Sequence, residues 1–492
     1  MQKISCPSCG GEVVFRSAAS VMAVCEYCQS TLLKDADSVK NIGKMSDLLE
    51  DYSPLQITST GTFQGRNFSL VGRIQLRYEA GIWNEWHAMF DDGSSAWLSD
   101  ASGQYVFTIP DTLPAQDAPE FERIRPGVPL RFRGATFFAS DVRSAHCIAG
   151  EGELPFQVGH GWVAKAADFR SGHRFLTLDY SDGAAPQLFI GQAVTLEQMR
   201  CQLLRTSDGV EKSASRFCGQ AVALDCPSCG SSIKYMAGMA YHVMCPACHA
   251  EVDCSTDKAL VLQKADELAK ITTSVALGDI ATINGSKYEA IGLMQCQTSY
   301  GSESWTWVEY LLFNAGKGFL WLVESSEGWD SVSVLNEWPD QAAPGSVSLT
   351  GDNYVKAEEY DATVVYAAGA FNWRISIGDR THVAEYKKGN RTLTSESNAN
   401  EVVWSSGRRV EPAQIAQWFG KQVDVSGAAA DTPSEHKFSM RTAWVFTIIL
   451  AALNLPISIA SGISGFRITL IALFVLWLPV LIVRYFGKDR NV

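Results

Sequence analysis

Eight of the thirteen cysteines fall into two sets that share one spacing. Each set reads Cys-Pro-Ser-Cys, fifteen residues, Cys-x-x-Cys, and the second lies 220 positions after the first. Two Cys-x-x-Cys pairs at this separation are typical of a zinc ribbon, in which four thiolates surround one Zn²⁺ ion. The chain is therefore a duplication, and we expect two zinc ions. The predicted ligands are Cys6, Cys9, Cys25 and Cys28, and Cys226, Cys229, Cys245 and Cys248.

A closed shell of four thiolates favours a structural metal, because a catalytic zinc keeps one coordination position open for water or substrate. Gly10 and Gly230 follow the first pair of each set and allow the tight turn that such a knuckle needs. An iron ion, a redox Cys-x-x-Cys and a disulfide pair remain the alternative uses of these thiols.

The other cysteines form no pattern and are not matched between the halves. We predict that they are ordinary reduced thiols, which favours a reducing compartment. No secretory signal precedes Cys6, so the amino terminus is expected in the cytoplasm. These cysteines are Cys147, Cys201, Cys218, Cys254 and Cys296.

The net charge of −12 argues against nucleic-acid binding. A ribbon that contacts phosphate needs a basic surface, and residues 1–35 contain three basic and three acidic side chains. The second ribbon is no more basic. We therefore expect no nucleic-acid partner.

Apart from its carboxyl terminus, the chain is predicted to be mainly β, with two repeats of a zinc ribbon and a β-rich domain. The expected ribbons are 1–35 and 222–254, and the expected β-rich domains are 53–221 and 278–421. Apolar residues alternate or cluster there between Gly, Asp and Asn turns. Apolar residues with a period of three to four predict helical connectors over 36–52 and 255–277.

The carboxyl-terminal end contains two uncharged runs, residues 443–460 and 468–483. Each is about long enough to cross a bilayer of ~30 Å hydrocarbon thickness. After a linker at 422–440, residues 441–486 are therefore predicted to form a transmembrane helical hairpin. Basic residues flank its outer ends, which places both ends in the cytoplasm of a bacterial cell, at the inner membrane. Pro456 and Pro479 leave a buried or re-entrant hairpin as the alternative.

The halves share a pattern of aromatic and acidic residues. Trp83-Asn-Glu85-Trp86 matches Trp307-Val-Glu309-Tyr310, and Trp97 matches Trp321. Glu85 and Glu309 are candidate ligand-binding acids because an acid between aromatic rings can be desolvated. A solvated, outward position is the commoner fate of Glu on a strand. The rings are expected to fill the core, with a ligand groove as the alternative.

The order of these motifs resembles the bacterial domain of unknown function 4178. The resemblance rests on the strand around Gly72, the segments at Trp83 and Trp97, and Gly-Glu-Leu-Pro at residues 152–155, and it covers both β-rich domains. Gly152 and Phe156 match Gly369 and Trp373, but the second copy lacks Glu-Leu-Pro. The family has no activity to carry over. Glu153, within the first copy's motif, is a third candidate ligand-binding residue.

No catalytic motif emerges, since the chain has no nucleophile elbow, phosphate loop or His-Glu-x-x-His. We therefore expect a membrane-anchored module that binds other proteins as a scaffold, within an envelope or stress-response assembly. The alternative is an enzyme that acts on a small metabolite or lipid headgroup in a β-domain. A deep polar pocket around Glu85 or Glu153 would favour the enzyme, and a filled core with an open apolar patch would favour the scaffold.

Overall fold

The fold was analysed in a computed structural model of the 492-residue chain. The structure describes residues 2–15, 20–35, 38–44, 53–112, 118–158, 162–183, 185–206, 222–235, 242–254, 260–263, 271–300, 303–314, 317–421 and 447. The chain divides into two compact units, 1–429 and 430–492, and both repeats belong to the first. The architecture below concerns that first unit.

Strands dominate the first repeat, as the sequence predicts. A single turn of 3₁₀ helix at Phe121–Arg123 interrupts them. The strands are β1 (Gln2–Ser5), β2 (Glu12–Phe15), β3 (Met22–Val24), β4 (Ser30–Asp35), β5 (Ser38–Lys44), β6 (Thr60–Phe63), β7 (Arg66–Tyr78), β8 (Gly81–Phe90), β9 (Ser95–Ala101), β10 (Gln104–Asp111), β11 (Pro129–Phe132), β12 (Ala135–Leu154), β13 (Val163–Ser171), β14 (Arg174–Asp179) and β15 (Gln187–Val194).

Eight of these strands form a closed antiparallel barrel, here called barrel 1, in the order β7-β8-β9-β10-β15-β14-β13-β12. The barrel closes where β12 pairs with β7, from His146 opposite Arg77 to Gly152 opposite Gly72. Closure leaves no free edge among these strands, so their backbone groups are paired around the ring.

The second repeat follows the same plan. Its strands are β16 (Val222–Asp225), β17 (Ser232–Tyr235), β18 (His242–Met244), β19 (Glu251–Asp253), β20 (Leu260–Gln263), β21 (Ile280–Ile283), β22 (Ser286–Tyr300), β23 (Glu303–Asn314), β24 (Gly318–Ser325), β25 (Gly328–Val334), β26 (Asp340–Ala343), β27 (Ser346–Leu349), β28 (Asp352–Phe371), β29 (Arg380–Lys388), β30 (Arg391–Ser397) and β31 (Val402–Val410).

Barrel 2 closes in the order β22-β23-β24-β25-β31-β30-β29-β28, with β28 pairing back onto β22. A helix that the sequence did not predict, α1 (Pro412–Phe419), follows its last strand. Pro412 suits the first turn of a helix, and Gly420 ends it in the left-handed conformation. Ile415 buries the helix's apolar face against the core of this repeat.

One long strand in each repeat joins the ribbon to its barrel. The last two residues of β12 pair with β3 of the first ribbon. In the second repeat, β18 pairs with the end of β28 from Gly369 to Phe371. The ribbon sheet is therefore a continuation of the barrel sheet and not a separate domain joined by a linker.

Glycines stand at the point where each barrel closes. Gly72 lies opposite Gly152, and Gly292 lies opposite Gly369. A Cβ atom on Gly72 would meet the carbonyl oxygen of Glu153 at 1.9 Å. Gly152 has a φ of +71° and Gly369 a φ of +91°, a region that disfavours side chains. Close backbone contact and backbone conformation thus explain why the two copies share these glycines.

The two faces of the barrel wall differ in character. On β8, Trp86 and Phe90 are buried in an apolar cluster with Phe68 and Phe107. Trp83 and Glu85 alternate with them and lie on the opposite face, where they line a cavity. One apolar cluster therefore packs against the outside of the wall, while the interior combines polar groups with apolar side chains such as Ile74 and Leu76.

The predicted helical connectors are wrong where the structure describes them. Residues 38–44 are strand β5, which pairs with β4, and residues 260–263 are strand β20, which pairs with β19. Pairing with an open strand of the ribbon supplies backbone hydrogen bonds that outweigh a short apolar period. Residues 45–52 and 264–270 of these connectors lie outside the described part.

The predicted membrane hairpin, residues 441–486, also lies outside the described residues, apart from Thr447. Within the described ranges, no helix combines the length and apolarity that crossing a membrane requires.

Candidate metal sites and ligand cavity

Each set of four cysteines brings its sulfur atoms together. In the first ribbon the Sγ atoms of Cys6 and Cys28 are 3.6 Å apart, and those of Cys9 and Cys25 are 3.7 Å apart. The corresponding distances in the second ribbon are 3.7 and 3.8 Å. Four sulfurs at ~2.3 Å from a tetrahedral ion would be about 3.8 Å apart, so both sets fit a metal ion.

The turns around the cysteines repeat as well. The backbone N–H of Gly10 donates to the carbonyl oxygen of Cys6, and that of Gln29 donates to Cys25, both at 2.8 Å. Gly230 and His249 make the same bonds in the second ribbon. All four turn residues have positive φ, although only the first of each pair is glycine. Local backbone geometry thus presents the four thiols of each ribbon to one point.

The remaining cysteines are free thiols where the structure describes them, as predicted. Cys147 and Cys296 are buried, and Cys201 and Cys254 are half-buried. Cys218 lies outside the described residues.

A cavity of about 2670 Å³ is lined by side chains of both barrels. Its lining includes acids, hydroxyls, arginines and aromatic rings from the inner faces of the strands. The interior of one small barrel is commonly filled by side chains, whereas this cavity extends over residues of two barrels. The barrel interiors therefore combine this cavity with apolar clusters, into which Trp97 and Trp321 pack.

Glu85 and Glu309 lie in this cavity at matching positions. Trp83 donates from Nε1 to Oε1 of Glu85 at 2.8 Å, and Ser99 Oγ is 2.8 Å from both oxygens of that carboxyl. Trp307 donates from Nε1 to Oε1 of Glu309 at 2.7 Å. Neither acid is the outward, solvated residue that exposure statistics favour. Residues two apart on a strand share a face, which brings each indole to its carboxyl.

Enclosure by protein changes the acidity of both groups. Burial raises the pKa of Glu85 to about 7, against the hydrogen bonds from Ser99 and Trp83, which lower it. Burial also raises the pKa of Glu309. The Cys296 thiol is hydrogen-bonded to Glu309 and has its own pKa raised by burial. The Glu85 carboxyl can therefore hold a proton near neutral pH, and the pKa of Glu309 is shifted in the same direction.

Further acids of barrel 1 surround Glu85. Burial raises the pKa of Asp141 to about 7 and also raises the pKa of Asp168. Thr177 Oγ1 donates to Asp168 at 2.7 Å, and Arg143 pairs with Asp141. Hydroxyl and guanidinium groups of the same barrel thus satisfy these acids.

Glu153 is not part of the cavity lining. It is 1% exposed and accepts a hydrogen bond of 2.8 Å from Ser20 Oγ of the first ribbon. Its carbonyl oxygen lies 2.9 Å from Nδ1 of the buried His87. In the second repeat the ribbon itself supplies the acid, Glu251, which Arg374 binds at 2.5 Å. The structure therefore places Glu153 at a junction between ribbon and barrel, apart from Glu85 and Glu309.

The paired aromatic residues divide between core and cavity. Trp86 and Tyr310 are fully buried in the apolar clusters outside the barrel walls, as the core interpretation predicts. The other four, Trp83, Trp97, Trp307 and Trp321, line the cavity. Three of them also pack into apolar clusters, Trp83 and Trp97 in barrel 1 and Trp321 in barrel 2. Trp97 and Trp321 each pack against a ring of the segment after the long strand, Phe156 at 5.6 Å and Trp373 at 5.4 Å.

Some polar pairs escaped the sequence analysis. Ser53 Oγ donates to the buried Asp100 at 2.5 Å, and Ser274 Oγ donates to Glu324 at 2.5 Å. The alignment of Asp100 with Glu324 was visible in the sequence, and the two serines stand 221 positions apart. Polar residues that recur about 220 positions apart, the offset between the two repeats, were the signal for these pairs.

Residues of the two repeats contact each other directly. Arg143 Nη2 donates to Glu401 Oε2 at 2.7 Å, and the guanidinium lies 4.0 Å from the ring centre of Tyr78. Arg374 contacts Glu79 at 3.5 Å as well as Glu251. The walls of the shared cavity are thus held together by charged pairs that cross between repeats.

The sequence matches the family described as Domain of unknown function (DUF4178) twice, over residues 56–196 and 276–412. The chain belongs to this family. The two matches span more than half of the 492 residues and correspond to the two barrels, so DUF4178 here is a duplicated barrel. A search of curated proteins finds no match.

Proposed function

We propose that this DUF4178 protein binds a small polar molecule in the cavity of its paired barrels. The main support is an indole–carboxyl hydrogen bond that is repeated on the inner face of both barrels. It joins Trp83 to Glu85 and Trp307 to Glu309. A carboxyl held by an indole N–H is fixed in orientation, and convergent polar groups in a concave site are what give ligand pockets their specificity.

The size of the cavity supports a ligand rather than a packed interior. At about 2670 Å³ it exceeds the roughly 300–1,000 Å³ of typical small-molecule sites, so it has room for one ligand in each repeat. Acids with raised pKa values, such as Glu85, Asp141 and Glu396, are a recognised mark of functional sites.

The ribbons have a supporting role in this proposal. Four sulfurs at tetrahedral spacing leave no open position for substrate, and each ribbon extends the sheet of its barrel. We propose that both bind zinc and stabilise the seam at which the barrel closes.

We also propose that residues 441–486 anchor the protein to the bacterial inner membrane, with the barrels in the cytoplasm. The uncharged runs and their basic flanks support this arrangement. Binding to other proteins, as a scaffold in an envelope or stress-response assembly, remains a proposed use of the outer surface.

The alternative function is catalysis on a small metabolite or lipid headgroup. The observation that favours it is the pKa of Glu85, raised to about 7, which suits proton transfer at neutral pH. Turnover of the bound molecule, rather than its release unchanged, would identify an enzyme.

The test is native mass spectrometry of the full chain, purified from membranes in mild detergent. We expect a bound small molecule that is reduced or lost in the double variant Glu85→Gln, Glu309→Gln. Glu303→Gln, an exposed acid on the same strand as Glu309, is the matched control. A wild-type protein without a ligand, even after incubation with a metabolite extract, would contradict the proposal.

A further inference from the structure

Barrel 2 contributes many acids to the cavity lining, among them Glu309, Glu385 and Glu396. Tyr360 OH donates to Glu385 at 2.8 Å, and Trp307 and Cys296 hydrogen-bond Glu309. Within the described residues, no side chain donates a hydrogen bond to the Glu396 carboxyl. Desolvation and the nearby charge of Glu309 raise the pKa of Glu396 to about 8, although the residue itself is exposed.

These acids are not arranged for a metal ion. In the described part of the chain, the groups of three or more potential ligands whose donor atoms lie within 4.8 Å of one another are the two cysteine sets. A single ion needs its ligands within about that distance, because oxygen–metal bonds are ~2.0–2.6 Å long. The arrangement of these acids therefore suits a cationic molecule larger than a single metal ion.

Aromatic rings stand between the acids. Trp307 and Tyr360 meet edge to face with ring centres 5.8 Å apart, and each is hydrogen-bonded to a different acid. The face of an indole or phenol attracts an organic cation, and its carbon surface accommodates the attached alkyl group. The lining thus combines negative charge with apolar contact.

A separate observation comes from the opposite part of the wall. Ser405 lines the cavity and is 5% exposed, and its Oγ has no hydrogen-bond partner among the described residues. A buried hydroxyl without a partner is destabilising, and a hydrogen-bond donor on a ligand would remove that cost. Its neighbours on the paired strands are Thr394 and Val334.

Two basic groups on this lining are engaged by acids of barrel 2. Lys387 Nζ lies 3.5 Å from Glu385 and 3.8 Å from Glu358, and Arg409 pairs with Asp330 and Glu327. Neither group makes a salt bridge with Glu309 or Glu396. Lys317 and Arg380 also line the cavity. In barrel 1, Arg143 and Arg170 line the cavity beside Asp141 and Asp168.

We propose that barrel 2 binds a small organic ammonium compound, with its charged nitrogen at Glu396 and Glu309 and its carbon chain against Trp307 and Tyr360. The inference rests on the proposed ligand-binding function and names the ligand class for one of the two barrels. Ammonium has three donors and no acceptor, which matches a site made of carboxyl and hydroxyl acceptors.

The experiment uses the full chain in detergent with n-butylammonium as the probe and 1-butanol as its neutral counterpart of equal length. Saturation-transfer NMR at pH 8 and low salt should show contact for n-butylammonium and none for 1-butanol. Glu396→Gln should weaken binding at least about tenfold, because the amide keeps the shape of the side chain and removes its charge. Glu303→Gln should leave binding unchanged.

Folding of each variant is checked by its circular dichroism and thermal transition, and Glu396→Asp, which retains the charge, should keep measurable binding. Equal contact for n-butylammonium and 1-butanol, or unaltered binding in Glu396→Gln, would overturn the cation assignment. If n-butylammonium fails to bind while native mass spectrometry finds a neutral ligand, the inference is wrong and the proposed function stands. If both experiments find nothing, the two fail together.

Discussion

Trp307 donates a 2.7 Å hydrogen bond to Glu309, and its partner residues in the other repeat, Trp83 and Glu85, repeat the bond at 2.8 Å. The neighbours of the two acids differ, since Ser99 contacts one and Cys296 the other. The same indole–carboxyl contact therefore persists in two different surroundings, facing inward in both. This relationship turns two short sequence matches into a shared feature of the cavity.

Glu85→Gln tests the buried state of that carboxyl. The pKa of Glu85 is raised from 4.5 to about 7 in the folded protein, so the folded state holds a proton that the unfolded state releases. The free energy of unfolding that this group contributes is highest below pH 4.5 and falls as pH rises to about 7. Glutamine does not ionise, so the variant does not lose stability as the pH rises. It should be more stable than wild type by about 1–2 kcal/mol at pH 8.

The measurement is urea unfolding from pH 4.5 to 8, with Glu303→Gln as control. The gap between Glu85→Gln and wild type should widen with pH, while the control follows wild type. Parallel curves for all three proteins would show that Glu85 is ionised and solvated in the folded state.

Cys25→Ser tests the metal sites. Loss of one thiolate should release about one metal ion of two and leave the other bound, since each ribbon has its own complete ligand set. Elemental analysis gives the identity of the metal and the count, and we expect zinc. Retention of two ions in Cys25→Ser would contradict the four-thiolate assignment, and Cys147→Ser, at a buried free thiol, is the control.

Gly152→Ala tests the seam of barrel 1. The added Cβ would lie 2.3 Å from the carbonyl oxygen of Val71. The alanine residue would also have to adopt a φ of +71°. We expect destabilisation of at least about 2 kcal/mol, or loss of folded protein. Gly134→Ala is the matched control, because its φ is +78° but nothing lies within 4 Å of its Cβ position. Equal effects would assign the cost to backbone conformation alone.

The proposed membrane hairpin implies a specific topology. Reporter fusions after Lys437 and after Val492 should both report the cytoplasm, because basic residues flank the outer ends of the two uncharged runs. Removal of residues 441–492 should release the protein from the membrane fraction. A truncated protein that still sediments with membranes would point to another anchor.

The features of this fold that depend on neighbouring residues were predictable from the sequence. The features that depend on closure of the barrels were not. Cysteine spacing identified both ribbons because knuckle geometry depends on a few adjacent residues. Barrel closure depends on Gly72 meeting Gly152, some eighty positions away, and no local pattern reports such a pairing. An alternating strand shows which residues share a face but not which face is enclosed, so Glu85 was expected outside.

The strand that shuts each barrel is also the strand that carries its ribbon. In β12 the residues paired with β7 are followed directly by Glu153 and Leu154, which pair with the ribbon. Metal occupancy and barrel closure therefore act on adjacent stretches of one backbone. By thermodynamic reciprocity, if metal favours the shut seam, any molecule that prefers the shut barrel must tighten metal binding by the same factor. The rate at which a chelator removes the metal would then be lower when a ligand occupies the barrel.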